Sequence, residues 1–231
     1  VDYYNTYKEP DKSRMMFVPE ARYVFDNTGY GYLGPHRGSR YYIGFKGTPK
    51  FSDADIGFLN IEGDFRHYIP LNSFMNFAFR FSGGKSVGPD PTPFYLGGLE
   101  NWFNSATLYG AFPLEEPEDF AFMNFEMPLR GYDIGEIQGS QYFLVNAEYR
   151  FPLFMALMGP LPILLTNIQG AAFFDMGGAW DGDFSDFKAT RTETIDGVTK
   201  EVPNHLLMST GFGIRTGLLG LPFKIDVAWV N

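Results

Sequence analysis

The sequence predicts an all-β fold, an antiparallel transmembrane β-barrel, and three observations carry that prediction. The first is periodicity. Apolar and polar residues alternate along eight segments, as strands do when one face meets lipid and the other a polar lumen. The second is composition. Of 231 residues, 19% are charged and 18% aromatic, with 25 Phe, 14 Tyr and 27 Gly. No apolar run reaches the roughly 18 residues of a helical span; the most apolar stretch, 153–165, is broken by Gly159, Pro160 and Pro162. The third is the alternation of connections. Those at 26–38, 70–72, 152–163 and 217–222 are short or stiffened by Pro and Gly, whereas those at 48–55, 82–139 and 181–203 are mostly longer and more polar. An outer-membrane barrel has short turns at one rim and long loops at the other. A soluble β-sandwich is the alternative, but it predicts mostly shorter strands.

The predicted strands follow in order. Met15–Phe25 sets Phe17, Ala21, Tyr23 and Phe25 against Glu20 and Arg22. Ser39–Gly47 sets Tyr41, Ile43 and Phe45 against Arg40, Tyr42 and Lys46. Ile56–Ile69 opposes Leu59, Ile61 and Phe65 to Asn60, Glu62, Asp64 and Arg66. Ser73–Phe81 opposes Phe77, Phe79 and Phe81 to Asn76, Ala78 and Arg80. After the long, aromatic segment 82–139, with a short helix expected near Glu100–Ser105, Ser140–Phe151 carries Asn146, Glu148 and Arg150 on one face. Leu164–Trp180 carries Ala171, Phe173 and Asp175 on one face. His205–Thr216 and Phe223–Asn231 complete the eight, with 181–203 between them and the sixth strand read as a polar loop.

An unpaired Arg or Lys facing lipid costs about 2–4 kcal/mol at the bilayer midplane, so the Phe, Tyr, Ile and Val faces must point outward. The lumen then receives charges of both signs, among them Arg66, Arg80, Glu148, Arg150, Asp175, Arg215, Lys224 and Asp226. A net charge of −9 argues against nucleic acid as a partner. There is no cysteine, which removes disulfide and thiol chemistry. The chain begins at Val1 without an export signal, so it reads as a mature form or a fragment.

No catalytic residue, metal ligand or cofactor site is predicted. The histidines are His36, His67 and His205. Pairing His67 with Ser82, or His205 with Ser209, leaves no third residue to orient the ring. Asp53, Asp55, Asp183 and Asp186 lack the spacing of a calcium loop. The apolar turn 153–165 reads as a headgroup-level turn, with a partner contact as the other reading.

Within 127–151, MPLRGYDIGEIQGSQYFLVNAEYRF, a loop arginine immediately precedes a strand bearing an inward carboxylate. That arrangement suits a tether from loop to wall, because a guanidinium fork matches a carboxylate. Gly131 lets the backbone turn tightly and Tyr132 packs on the wall.

LRGY at 129–132, AEYRFPL at 147–153 and FFDMGGAWD at 173–181 occur in an order and spacing that resemble the BamA, TamA and FhaC type of outer-membrane barrel, the bacterial surface antigen family. DNTGYGYLGPHRGSRY at 26–41 adds a weaker likeness. The resemblance implies that residues 1–231 are the C-terminal part of a larger barrel of about sixteen strands. It implies a structural lock in which Arg130, flanked by Gly131 and Tyr132, enters the lumen and bonds Glu148 and Asp175. It further implies a cofactor-free, non-enzymatic barrel in the outer membrane of a Gram-negative-type bacterium that inserts or translocates polypeptides. Its expected partners are outer-membrane lipid, polypeptide clients or other envelope proteins, and the rest of its own barrel. The alternative is a barrel that only anchors a periplasmic or surface domain.

Overall fold

The computed structural model describes residues 17–31, 34–49, 56–98, 124–126, 128–153, 168–195, 198–218 and 221–230. Its strands are β1 (Glu20–Asp26), β2 (Gly29–Gly31), β3 (Gly34–Thr48), β4 (Phe58–Pro70), β5 (Asn76–Val87), β6 (Phe94–Leu96), β7 (Asn124–Glu126), β8 (Ile137–Gly139), β9 (Gln141–Pro152), β10 (Ile168–Trp180), β11 (Thr190–Ile195), β12 (Val198–Pro203), β13 (Leu206–Leu218) and β14 (Leu221–Val230). Eight of them form one antiparallel meander in the order β1-β3-β4-β5-β9-β10-β13-β14, with β2 paired to β3. The sheet is open, with β1 and β14 at its edges. These eight are the eight predicted strands.

The burial pattern is that of a barrel wall and the reverse of a soluble sheet. Phe81, Phe212, Ile225 and Trp229 are exposed, at 56–68%. On the opposite face Asn60, Asn76, Asp175 and Ser209 are 0–1% exposed. Apolar side chains facing out from a polar interior are stable only against lipid. The ladder register preserves this polarity across strands, since Asp175 lies opposite Asn146 on β9 and Ser209 on β13.

A second layer lies inside the wall, built from described residues 94–98, 124–126 and 128–139 of the long segment. β6 pairs in parallel with β7 and antiparallel with β8, and a bridge between Gly98 and Leu129 extends the layer. Phe94, Leu96 and Leu129 of this layer pack on Tyr142, Leu144, Ala179 and Leu207 of the wall, with Tyr132 and Ile137 against them. The lumen is therefore divided. Its long-loop half holds a small apolar core, an addition to the polar, partly ion-paired lumen that the strand faces predict. Its short-turn half carries the ion pairs.

Several boundaries depart from the prediction. The connection 26–38, read as a turn, contains β2 and the start of β3, which begins at Gly34 and not at Ser39. β1 starts at Glu20 because Pro19 has no N–H for the ladder. β5 runs through Ser82-Gly83-Gly84 to Val87, where the prediction ended the strand at Phe81 and began the long loop. The glycines there make room: a Cβ on Gly84 would sit 2.7 Å from the Tyr142 ring and 3.3 Å from Phe94. The presumed polar loop 181–203 contains a hairpin, β11 paired with β12. Its flanks are rich in β-branched Thr, Val and Ile around an Asp196-Gly197 dipeptide, a strong hairpin signal. The expected helix near 100–105 and most of the apolar turn 153–165 lie outside the described residues.

Candidate functional site

Arg130 sits in a turn between the Gly98–Leu129 bridge and β8, and that turn is pressed against the inner faces of β9, β10, β13 and β14. Its guanidinium donates to Asp175 through Nε at 2.6 Å and Nη2 at 2.8 Å, a bidentate fork. The Arg130 backbone N–H donates to the same carboxylate at 3.2 Å. Asp175 is fully buried and Arg130 is 4% exposed. The remaining nitrogen, Nη1, lies 3.5 Å from Glu148 and 3.6 Å from Asp226. The guanidinium plane also covers the Phe173 ring, 3.5 Å from its centroid. Stacking on an aromatic face while pairing with carboxylates is a combination that lysine does not reproduce.

The neighbours of Arg130 explain its conformation. Gly131 adopts φ +90°, and a Cβ there would lie 2.9 Å from Val230 Cγ1 and 3.1 Å from Ala228 Cβ. Both the left-handed backbone and the close approach to β14 thus require glycine. The Tyr132 hydroxyl donates to the Met208 carbonyl at 2.8 Å and accepts from the Met208 N–H at 3.2 Å. Gly177 serves the layer from the wall side, since a Cβ there would press on Leu96, Leu129 and Leu144 at 3.0–3.3 Å.

The five residues predicted for the lock are therefore neighbours in space, but their shares differ. Asp175 is the principal acceptor of Arg130. Glu148 serves other cations first: Arg150 donates to it at 2.9 Å and Arg215 at 2.8 Å. The prediction omitted Asp226, Phe173 and Asn146 from the site. Asn146 Nδ2 donates to Asp175 at 2.8 Å and to the Pro128 carbonyl at 2.9 Å, linking acceptor and loop. Its position opposite Asp175 follows once the register is known; parity alone placed it on the inward face.

A second set of polar ties fastens the far side of the inner layer. Arg80 of β5 donates to Asp64 at 2.5 Å and to Glu126 of β7 at 3.4 Å, and Arg66 pairs with Asp64 at 2.7 Å. Burial pushes the Glu126 carboxyl up to about 7, against the pull of Arg80. The side chains of Asn60 and Thr92 exchange hydrogen bonds at 2.9–3.0 Å, and the Thr92 N–H donates to Ser86 Oγ at 2.8 Å.

The serine–histidine pairs considered from the sequence do not form. His67 Nδ1 is 2.7 Å from Ser39 Oγ, its cross-strand partner on the outward face, and not paired with Ser82. The other face of that ring environment is Phe65, stacked at 6.2 Å, and no acidic group orients it among the described residues. His205 Nδ1 accepts from the Lys188 N–H at 3.1 Å. Asp183 and Asp186 close a short 3-10 turn, the Asp183 N–H donating to Asp186 at 2.8 Å. Among the described residues no cluster of His, Asp and Glu has the makings of a metal site.

A wall with apolar residues outside, ion pairs inside and a loop layer tied to its inner face defines a β-barrel of the outer-membrane type. The chain belongs to the Omp85 superfamily, whose domain model matches residues 3–231. The solved structures add a likeness of fold to BamA from Haemophilus ducreyi, crystallised without its POTRA domains 1–3. That similarity has a TM-score of 0.60 at 16% identity and covers 93% of this chain and 38% of that one. The chain thus spans well under half the length of this structural neighbour. No curated protein matches the sequence.

Proposed function

We propose that this chain is the C-terminal part of an outer-membrane barrel of the protein assembly and translocation type, which inserts or translocates polypeptides without a cofactor. The observation that carries this reading is the family match across residues 3–231. The geometry supports the mechanical part of it. The apolar outer face suits lipid, and the inner layer is fastened to the wall at named points. Arg130 is the central fastener, because its partner Asp175 has no access to water. A loop held in this way keeps β9, β10, β13 and β14 in register while other parts of the barrel change shape. Its partners on this reading are outer-membrane lipid, the polypeptides it handles and the rest of its own barrel.

The test is Arg130→Glu in the full-length protein. The variant places a third carboxylate beside Asp175 and Glu148, at a cost of about 3–5 kcal/mol for a broken buried pair. The expected outcome is defective barrel assembly, read as loss of heat-modifiable mobility, together with reduced insertion of client barrels. Normal assembly and normal client insertion would remove the lock from the mechanism. A full-length wild-type protein that assembles normally yet handles no polypeptide would instead be a structural anchor.

A further inference from the structure

We propose that the lumenal cavity on the short-turn side of Arg130 is a binding site for an oxyanion, a carboxylate or phosphate group carried by a small ligand. The cavity measures about 190 Å³ and opens between the inner layer and the inward faces of β4, β5, β9, β13 and β14. Six cations line it: Arg66, Arg80, Arg130, Arg150, Arg215 and Lys224. They are a third of the 18 lysines and arginines in a chain whose net charge is −9, so their convergence does not reflect a generally basic surface.

Among the described residues, the charges around the cavity do not balance. Five carboxylates stand near these six cations: Asp64, Glu126, Glu148, Asp175 and Asp226. Glu148 alone is divided among Arg150, Arg215 and Arg130. The exposed Lys224 side chain forms no direct ion pair or side-chain hydrogen bond among the described residues, and Asp226 is a carboxylate that shares the cavity with it. Arg215 is 7% exposed, and its Nε is buried without an acceptor. A buried guanidinium N–H with no acceptor is unfavourable, and an incoming oxyanion at the cavity satisfies it while drawing on the Lys224 ammonium beside it. Guanidinium forks and an ammonium are the groups that hold carboxylates and phosphates.

Size limits the ligand. At about 190 Å³ the cavity suits a charged head with a small substituent, so a phosphate from a lipid would enter by its headgroup.

The experiment is isothermal titration of the full-length protein in detergent micelles at constant ionic strength, with inorganic phosphate, acetate and chloride as probes. Phosphate or acetate is expected to bind more tightly than chloride. Lys224→Gln is expected to weaken the oxyanion about tenfold, the effect of one charged hydrogen bond, and Lys224→Arg to retain it. Lys224 makes no direct ion pair or hydrogen bond to the Arg130 network among the described residues, so both variants are expected to stay folded, with melting temperatures close to wild type. Preference for phosphate points to headgroups and free phosphate as sources; equal or better binding of acetate points to carboxylate ligands. Binding no tighter than chloride, or unchanged binding in Lys224→Gln, would overturn the site.

Discussion

At the residue scale, the site depends on backbone freedom as much as on charge. Gly131 combines a left-handed φ with contact to β14, so Gly131→Ala meets two separate penalties. The left-handed backbone costs about 1–2 kcal/mol, and the clash with Val230 adds to it. Equilibrium unfolding in urea is expected to show that loss, and the companion change Val230→Ala should recover only the steric part. Full recovery would mean that the backbone conformation is not strained. The sequence made part of this site legible. A loop arginine beside an inward carboxylate, with glycine after it, named Arg130, Gly131 and Glu148 by local pattern. Asp175 came from inward parity and family resemblance. Asp226, Asn146 and Phe173 were hidden because their roles depend on register between strands, which alternation does not encode.

At the element scale, the inner layer is held by an apolar core and by ion pairs at its two sides. Leu129 is fully buried between the layer and the wall. Leu129→Ala is expected to weaken docking by about 2–5 kcal/mol, seen as faster proteolysis within 82–139 while the wall strands stay protected. Equal protection in wild type and variant would contradict a packed layer. The Glu126 side of the layer carries a pH dependence. Its folded carboxyl titrates at about 7 against an ordinary value of 4.5, so the docked layer binds more protons than the undocked one between those values. Docking stability therefore falls as pH rises through that window, by up to about 3 kcal/mol. Proteolysis of the layer is expected to be faster at pH 8 than at pH 5, and Glu126→Gln should flatten the difference. A wild-type rate independent of pH would contradict it. The three short strands of this layer escaped sequence reading because each has only three residues, too few for a period to register. The β11–β12 hairpin is hard to read for another reason: the charge of 181–203 masks its β-branched residues and Asp-Gly pair.

At the scale of the whole molecule, the eight wall strands were legible because lipid enforces one polarity along every strand. The same constraint makes the outer face testable. Ile214→Arg on the outward face of β13 is expected to cost about 2–4 kcal/mol if it lies at midplane. The account as a whole rests on one claim, that Arg130 ties the inner layer to the wall through Asp175. A double-mutant cycle measures this most directly, using Arg130→Ala, Asp175→Ala and the double variant of the full-length protein, unfolded in urea from lipid vesicles. Each single variant leaves one buried charge without its partner, so the double variant should be far less destabilised than the sum of the two. The predicted coupling is about 2–3 kcal/mol. Destabilisations that add to within about 0.5 kcal/mol would show that the two residues do not act together, and would contradict the account.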